Sequence, residues 1–128
     1  MIVSWNTEAP GLTINNPVVQ PGAIAINPIT WTRSERPASA AQSLGSLLPD
    51  AAGVLKKVNH YADARVDKAR GVIVCTTCSI STYAPGTPGG FPRGIFHLHD
   101  YAFYYFDLRH NAANRIQRFL STHKRQRA

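Results

Sequence analysis

The sequence predicts an α/β protein, with a small sheet of about four strands followed by one well-formed C-terminal helix. Three observations point there. Ala23-Ile24-Ala25-Ile26 and Gly71-Val72-Ile73-Val74-Cys75 are unbroken apolar runs, the pattern of strands covered on both faces. Leu108, Ala112, Ile116 and Phe119 or Leu120 recur at helical spacing behind Asp107, a residue type suited to capping a helix start. Nine glycines and nine prolines punctuate the rest into loops.

Taken in order, Ile2 to Trp5 is a short β-prone run that ends in the loop signal Asn6-Thr7-Glu8-Ala9-Pro10-Gly11. Ala23 to Asn27 reads as a second buried strand, stopped by Pro28. From Thr32 to Gly53 the residues are small, polar or helix-breaking. A long surface excursion is expected there, with one helical turn near Ala38 to Leu44. Val58 to Val66 and Gly71 to Cys75 read as a strand pair connected by Asp67-Lys68-Ala69-Arg70. Tyr83 to Gly94 is a loop by composition, and the final helix follows.

The 128 residues suffice for one domain and one core, so residues 1–128 are taken as a single unit with a basic tail at 121–128. One helix covers only part of a four-stranded sheet. The unit therefore reads as incomplete, and Ile2 to Trp5 is expected to leave an uncovered sheet edge. No apolar run approaches the roughly 20 residues that span a bilayer. The start also lacks the basic and apolar regions of a secretory signal. The compartment stays undetermined.

The formal net charge is +7, and Arg109, Arg115, Arg118, Lys124, Arg125 and Arg127 all fall in the last helix and tail. Such a patch suits phosphates or an anionic surface, but a solvated helix face with a basic end is the simpler reading. Nucleic acid is disfavoured because no recognition signature accompanies the charge.

Two histidines are the candidates for chemistry, against the plainer reading of a histidine hydrogen-bonded in a packed loop. His97 and His99 follow the glycine- and proline-rich loop and precede the aromatic run Tyr101 to Phe106. Imidazole titrates near neutrality and can shuttle protons from such a loop. Asp100 is too close in sequence to be assumed the orienting acid. No serine has glycine on both sides of the Gly-x-Ser-x-Gly kind, so a nucleophile elbow is missing from the chain. Cys75 and Cys78 are read first as buried or free thiols. Two alternatives stay open: a zinc site with His97 and His99, or a disulfide. The aromatic run is read as core.

With those residues in view, the chain resembles the C-terminal part of a lipase-like family in the α/β-hydrolase clan. The resemblance rests on Val3 to Gly11, Pro21 to Trp31, Ser43 to Leu47, Ala62 to Asp67 with Gly71 to Val74, and Phe96 to Tyr101 running on to Ile116. It implies the later strands and final helix of a doubly wound sheet whose serine elbow lies upstream of Met1. It also implies that His97, on the His-x-x-Asp pattern, is the general base of an esterase or lipase. Glu8 is the orienting acid under this resemblance, with Asp63 and Asp67 as runners-up. A small-molecule ester or a lipid would be the substrate once the full fold is present. A complementing N-terminal segment or a second copy would be the partner, with no cofactor and no metal. Without the elbow the chain alone is expected to be inactive. The alternative is a small basic binding module for nucleic acid or a protein, zinc-stabilised through Cys75, Cys78, His97 and His99.

Overall fold

The computed structural model describes residues 5–126, with side chains through residue 123. It has mixed α/β content: two small sheets and a long C-terminal helix. Most of the predicted strand Ile2 to Trp5 lies outside the described residues. The strand found beside it is β1, Thr7–Glu8, with both residues buried.

β1 pairs in parallel with β5, Val72–Val74, in the register Thr7 to Ile73 and Glu8 to Val74. On its other side β5 pairs antiparallel with β4, Arg65–Asp67. The β4–β5 hairpin closes as the sequence spacing predicts. The Arg70 amide donates to Asp67 Oδ1 at 3.0 Å, and the Gly71 amide donates to the Asp67 carbonyl at 2.8 Å. Gly71 sits at φ +68, and a Cβ there would lie 2.6 Å from the Ala23 carbonyl oxygen. Only glycine meets both demands.

The second sheet is a hairpin of β2, Ser46–Pro49, and β3, Leu55–Val58. β2 lies inside the stretch read as a surface excursion, and it reaches the core through Leu48. The expected helical turn there is a 3-10 turn at Ala40–Gln42. β3 ends where the sequence placed the start of a longer strand. Residues 59–64 connect the two sheets and carry Ala62 and Ala64 into the core.

Ala23 to Asn27 is not a strand; only Ala25 forms a bridge. Asn27 explains the difference. Its Oδ1 accepts from the amides of Ile29 and Thr30 at 2.9 and 3.2 Å, and its Nδ2 donates to the Ala64 carbonyl at 2.9 Å. The side chain therefore builds a turn where a ladder would have to continue. Burial of Ala25 and Ile26 accounts for the apolar run without a strand.

Short helices α1, Ile80–Tyr83, and α2, Asp100–Phe103, lead to α3, Tyr105–Gln126. Helix α3 begins two residues before the expected cap. Asp107 lies in its first turn, buried, where it accepts from Ser43 Oγ at 2.7 Å and from the Leu44 amide at 3.0 Å. Phe96, Phe103 and Tyr104 fill the core against Ile73, Val66 and Leu48, so the aromatic run is core only at Phe103 and Tyr104; Tyr101 and Tyr105, on the outer side of the helical turns, are exposed. Tyr104 donates its hydroxyl to the Asp63 carbonyl at 2.8 Å. Beyond Leu108 the helix leaves this core, and its residues are largely exposed.

Among the described residues the only parallel pairing between strands is β1 with β5. The uncovered edge expected on Ile2 to Trp5 falls mostly outside the described residues, and the neighbouring Thr7–Glu8 is not a bare edge. The loop leading to His97 runs along it, with Ile95 bridging Glu8.

Candidate functional site

His97 is held by the backbone on both sides of it. Gly94, at φ +89, turns the glycine- and proline-rich loop onto β1. The Ala9 amide then donates to the Gly94 carbonyl at 2.7 Å, and the Phe96 amide donates to the Thr7 carbonyl at 2.9 Å. Phe96 is fully buried and anchors the loop in the core. A 3-10 turn at His97–His99 follows and runs directly into α2. In such a turn residues three apart sit over one another, so His97 meets Asp100.

The contact is specific. His97 Nδ1 lies 3.2 Å from Asp100 Oδ2 and 3.1 Å from Asn6 Oδ1. Both partners are oxygens, so the arrangement suits an imidazole protonated at Nδ1 that donates to them. This leaves Nε2 as the basic nitrogen. Asp100 is fixed in turn: its Oδ1 accepts the Thr7 amide at 2.8 Å. The Asp100 side chain is 7% exposed and that of His97 38% exposed. A buried acid therefore supports an imidazole that solvent or a substrate can reach. Burial pushes the Asp100 carboxyl up to about 7, against the lowering effect of the Thr7 hydrogen bonds. The Phe91 ring lies beside His97 at 5.2 Å between centroids.

The other residues expected at this site are engaged elsewhere. Glu8 is buried and takes Arg70 in a two-point ion pair, with Nε to Oε2 at 2.8 Å and Nη2 to Oε1 at 3.0 Å. Asn16 Nδ2 adds a third donor at 3.0 Å. This pair sits in the wall of a cavity of about 460 Å³, shared with Asn15, Gln20 and Pro21. Neither Glu8 nor Arg70 hydrogen-bonds His97. Asp63 accepts from the amides and hydroxyls of Thr76 and Thr77, and Asp67 closes the β4–β5 turn. His99 stacks on Phe103 and meets Tyr83 edge-on, and burial lowers its pKa.

Cys75 and Cys78 are bonded to each other, so they are not the free thiols first expected but the disulfide left open as an alternative. The disulfide occupies both sulfurs, which removes the thiolate donors of the expected zinc set with His97 and His99. Among the described residues no group of three or more His, Cys, Asp or Glu is arranged to hold a metal. No hydroxyl or thiol among the described residues is hydrogen-bonded to His97.

Sequence reasoning passed over Asp100 because it adjoins the histidine, although three-residue spacing within a helical turn is itself a contact signal. Asn6 carried no signal at all, since it is 91 residues away in the chain. No helix among the described residues is long and apolar enough to cross a membrane. No protein-family model, curated protein or solved structure matches this chain.

Proposed function

We propose that this chain supplies the acid–base half of a serine-hydrolase-type site acting on esters, with His97 as general base and Asp100 as the acid that orients it. The observation supporting this reading is the chain of contacts from the Thr7 amide through the Asp100 carboxyl to His97 Nδ1. It gives the imidazole one tautomer and one orientation, as an acyl-transfer base requires. In the reaction, Nε2 accepts the proton of a serine hydroxyl as its oxygen bonds the ester carbonyl carbon. The same nitrogen returns that proton to the departing alkoxide, and a water repeats the cycle to free the acid.

The Gly-x-Ser-x-Gly elbow is the component missing from this sequence, so the nucleophilic serine comes from a complementing segment or a second polypeptide that carries one. This proposal carries forward the resemblance to the later part of an α/β-hydrolase-like lipase or esterase, with one change. Asp100 takes the orienting role that the resemblance gave to Glu8, because the Glu8 carboxylate is committed to Arg70. The substrate class is a small-molecule or lipid ester.

The test joins two measurements on the purified chain. Nitrogen-15 NMR of the imidazoles should find His97 neutral with its proton on Nδ1 above pH 8, and Asp100→Asn should shift that tautomer balance toward Nε2–H. A fluorophosphonate probe should leave every serine of the chain unlabelled. A wild-type His97 protonated on Nε2 removes the base and sinks the proposal. A labelled serine sinks the claim that the nucleophile lies outside this chain.

A further inference from the structure

Helix α3 has a face that no part of the described protein covers. Ile116, Phe119 and Leu120 are 60%, 60% and 52% exposed. Their spacing, with Ala112 one turn earlier, sets them on one side of the helix as a single apolar stripe. The surrounding charge has one sign. From Leu108 to Ala128 there are six basic residues, out of 14 in the whole chain, and no aspartate or glutamate. By helical spacing Arg115 adjoins Phe119 on one flank of the stripe. Arg118 extends the charge toward the far face.

The partner must satisfy both halves of this surface. Nucleic acid would answer the charge but offers the stripe nothing apolar to enter. A second copy would cover the stripe but bring its own cations against these. An anionic bilayer surface answers both, because acyl chains receive the apolar side chains while headgroups receive the flanking cations. We infer that α3 is a membrane-surface helix, lying in the interface of an anionic bilayer with Ile116, Phe119 and Leu120 turned into it.

The inference is independent of the reaction proposed for His97, because it uses no residue of that site. Its test is co-flotation of the full chain with vesicles of two parts phosphatidylcholine to one part phosphatidylserine. Vesicles of phosphatidylcholine alone are the comparison. Binding is expected only to the anionic vesicles, and raising the salt should weaken it steeply. Phe119→Ser should weaken it about tenfold, since roughly 1.4 kcal/mol of lost insertion corresponds to that factor. Arg115→Gln should weaken it about fivefold, the rough factor for one surface cation removed. Circular dichroism and the melting point check that the fold survives, as expected for side chains that touch little of the core.

Equal binding to neutral vesicles, or none to either kind, overturns the inference. So does tight binding to a single-stranded oligonucleotide that Phe119→Ser leaves unchanged. Sedimentation that finds a dimer, broken by Phe119→Ser and unable to float with vesicles, assigns the stripe to a second copy instead.

Discussion

At the scale of single residues, Asp100 is the position from which most follows. Its carboxyl titrates near 7 in the folded protein and near 3.8 in the unfolded chain. The folded state thus holds this proton more tightly, so the stability it contributes is complete below about pH 4. That stability is lost as the pH rises through about 7. This difference corresponds to about 4 kcal/mol as an upper limit. Urea unfolding should therefore give a wild type that weakens between pH 5 and pH 8, and an Asp100→Asn variant whose stability is flatter over that range. Parallel pH profiles for the two proteins would contradict this account of the site. Glu8 illustrates the opposite use of a buried acid. Its three donors hold it as a structural ion pair, and the same burial that hides it from solvent also separates it from the histidine. The sequence carried the His97–Asp100 spacing, but no sequence pattern distinguishes an acid paired with Arg70 from one paired with His97. That choice depends on which loops β1 lies against.

Among the elements, the β4–β5 hairpin and α3 were legible because their signals are local. Turn residues and helical spacing act within a few positions of one another. Ala23 to Asn27 was misleading for a physical reason: an apolar run records burial, and burial does not require a ladder. β2 was hidden for the converse reason, since Ser46 and Pro49 flank two leucines with residue types that usually mark loops. Gly71 links the hairpin to the Ala23 segment, and it provides the sharpest element-scale prediction. Gly71→Ala adds a Cβ against the Ala23 carbonyl at a positive φ. The expected cost is about 2–3 kcal/mol, combining backbone strain and a displaced neighbour. Chemical denaturation checks it, and a loss under about 0.5 kcal/mol would mean the hairpin yields without strain.

Across the whole molecule, the regular elements are short, and side-chain contacts to backbone connect them. Ser46 to the Phe103 carbonyl, Tyr104 to the Asp63 carbonyl and Asp107 to the Leu44 amide join distant parts of the chain. No composition analysis could pair these residues, because each contact spans more than 40 positions. The Cys75–Cys78 disulfide closes only a four-residue loop just after β5, so its influence should be modest. Reduction by excess dithiothreitol is expected to lower stability by about 2 kcal/mol without unfolding the chain. Full unfolding on reduction would instead make the bridge a principal support of the core.

The loop that presents His97 also seals the outer margin of β1. Thr7 gives its amide to Asp100 and its carbonyl to Phe96, while Ala9 reaches Gly94. At the opposite margin, Ala38 and Ala64 exchange both of their backbone hydrogen bonds. No strand from another polypeptide can be added beside β1 without first pulling the acid away from the imidazole. On the reading proposed above, the serine therefore comes to His97 from outside the β1 edge, which is already occupied, and not on a strand added beside β1.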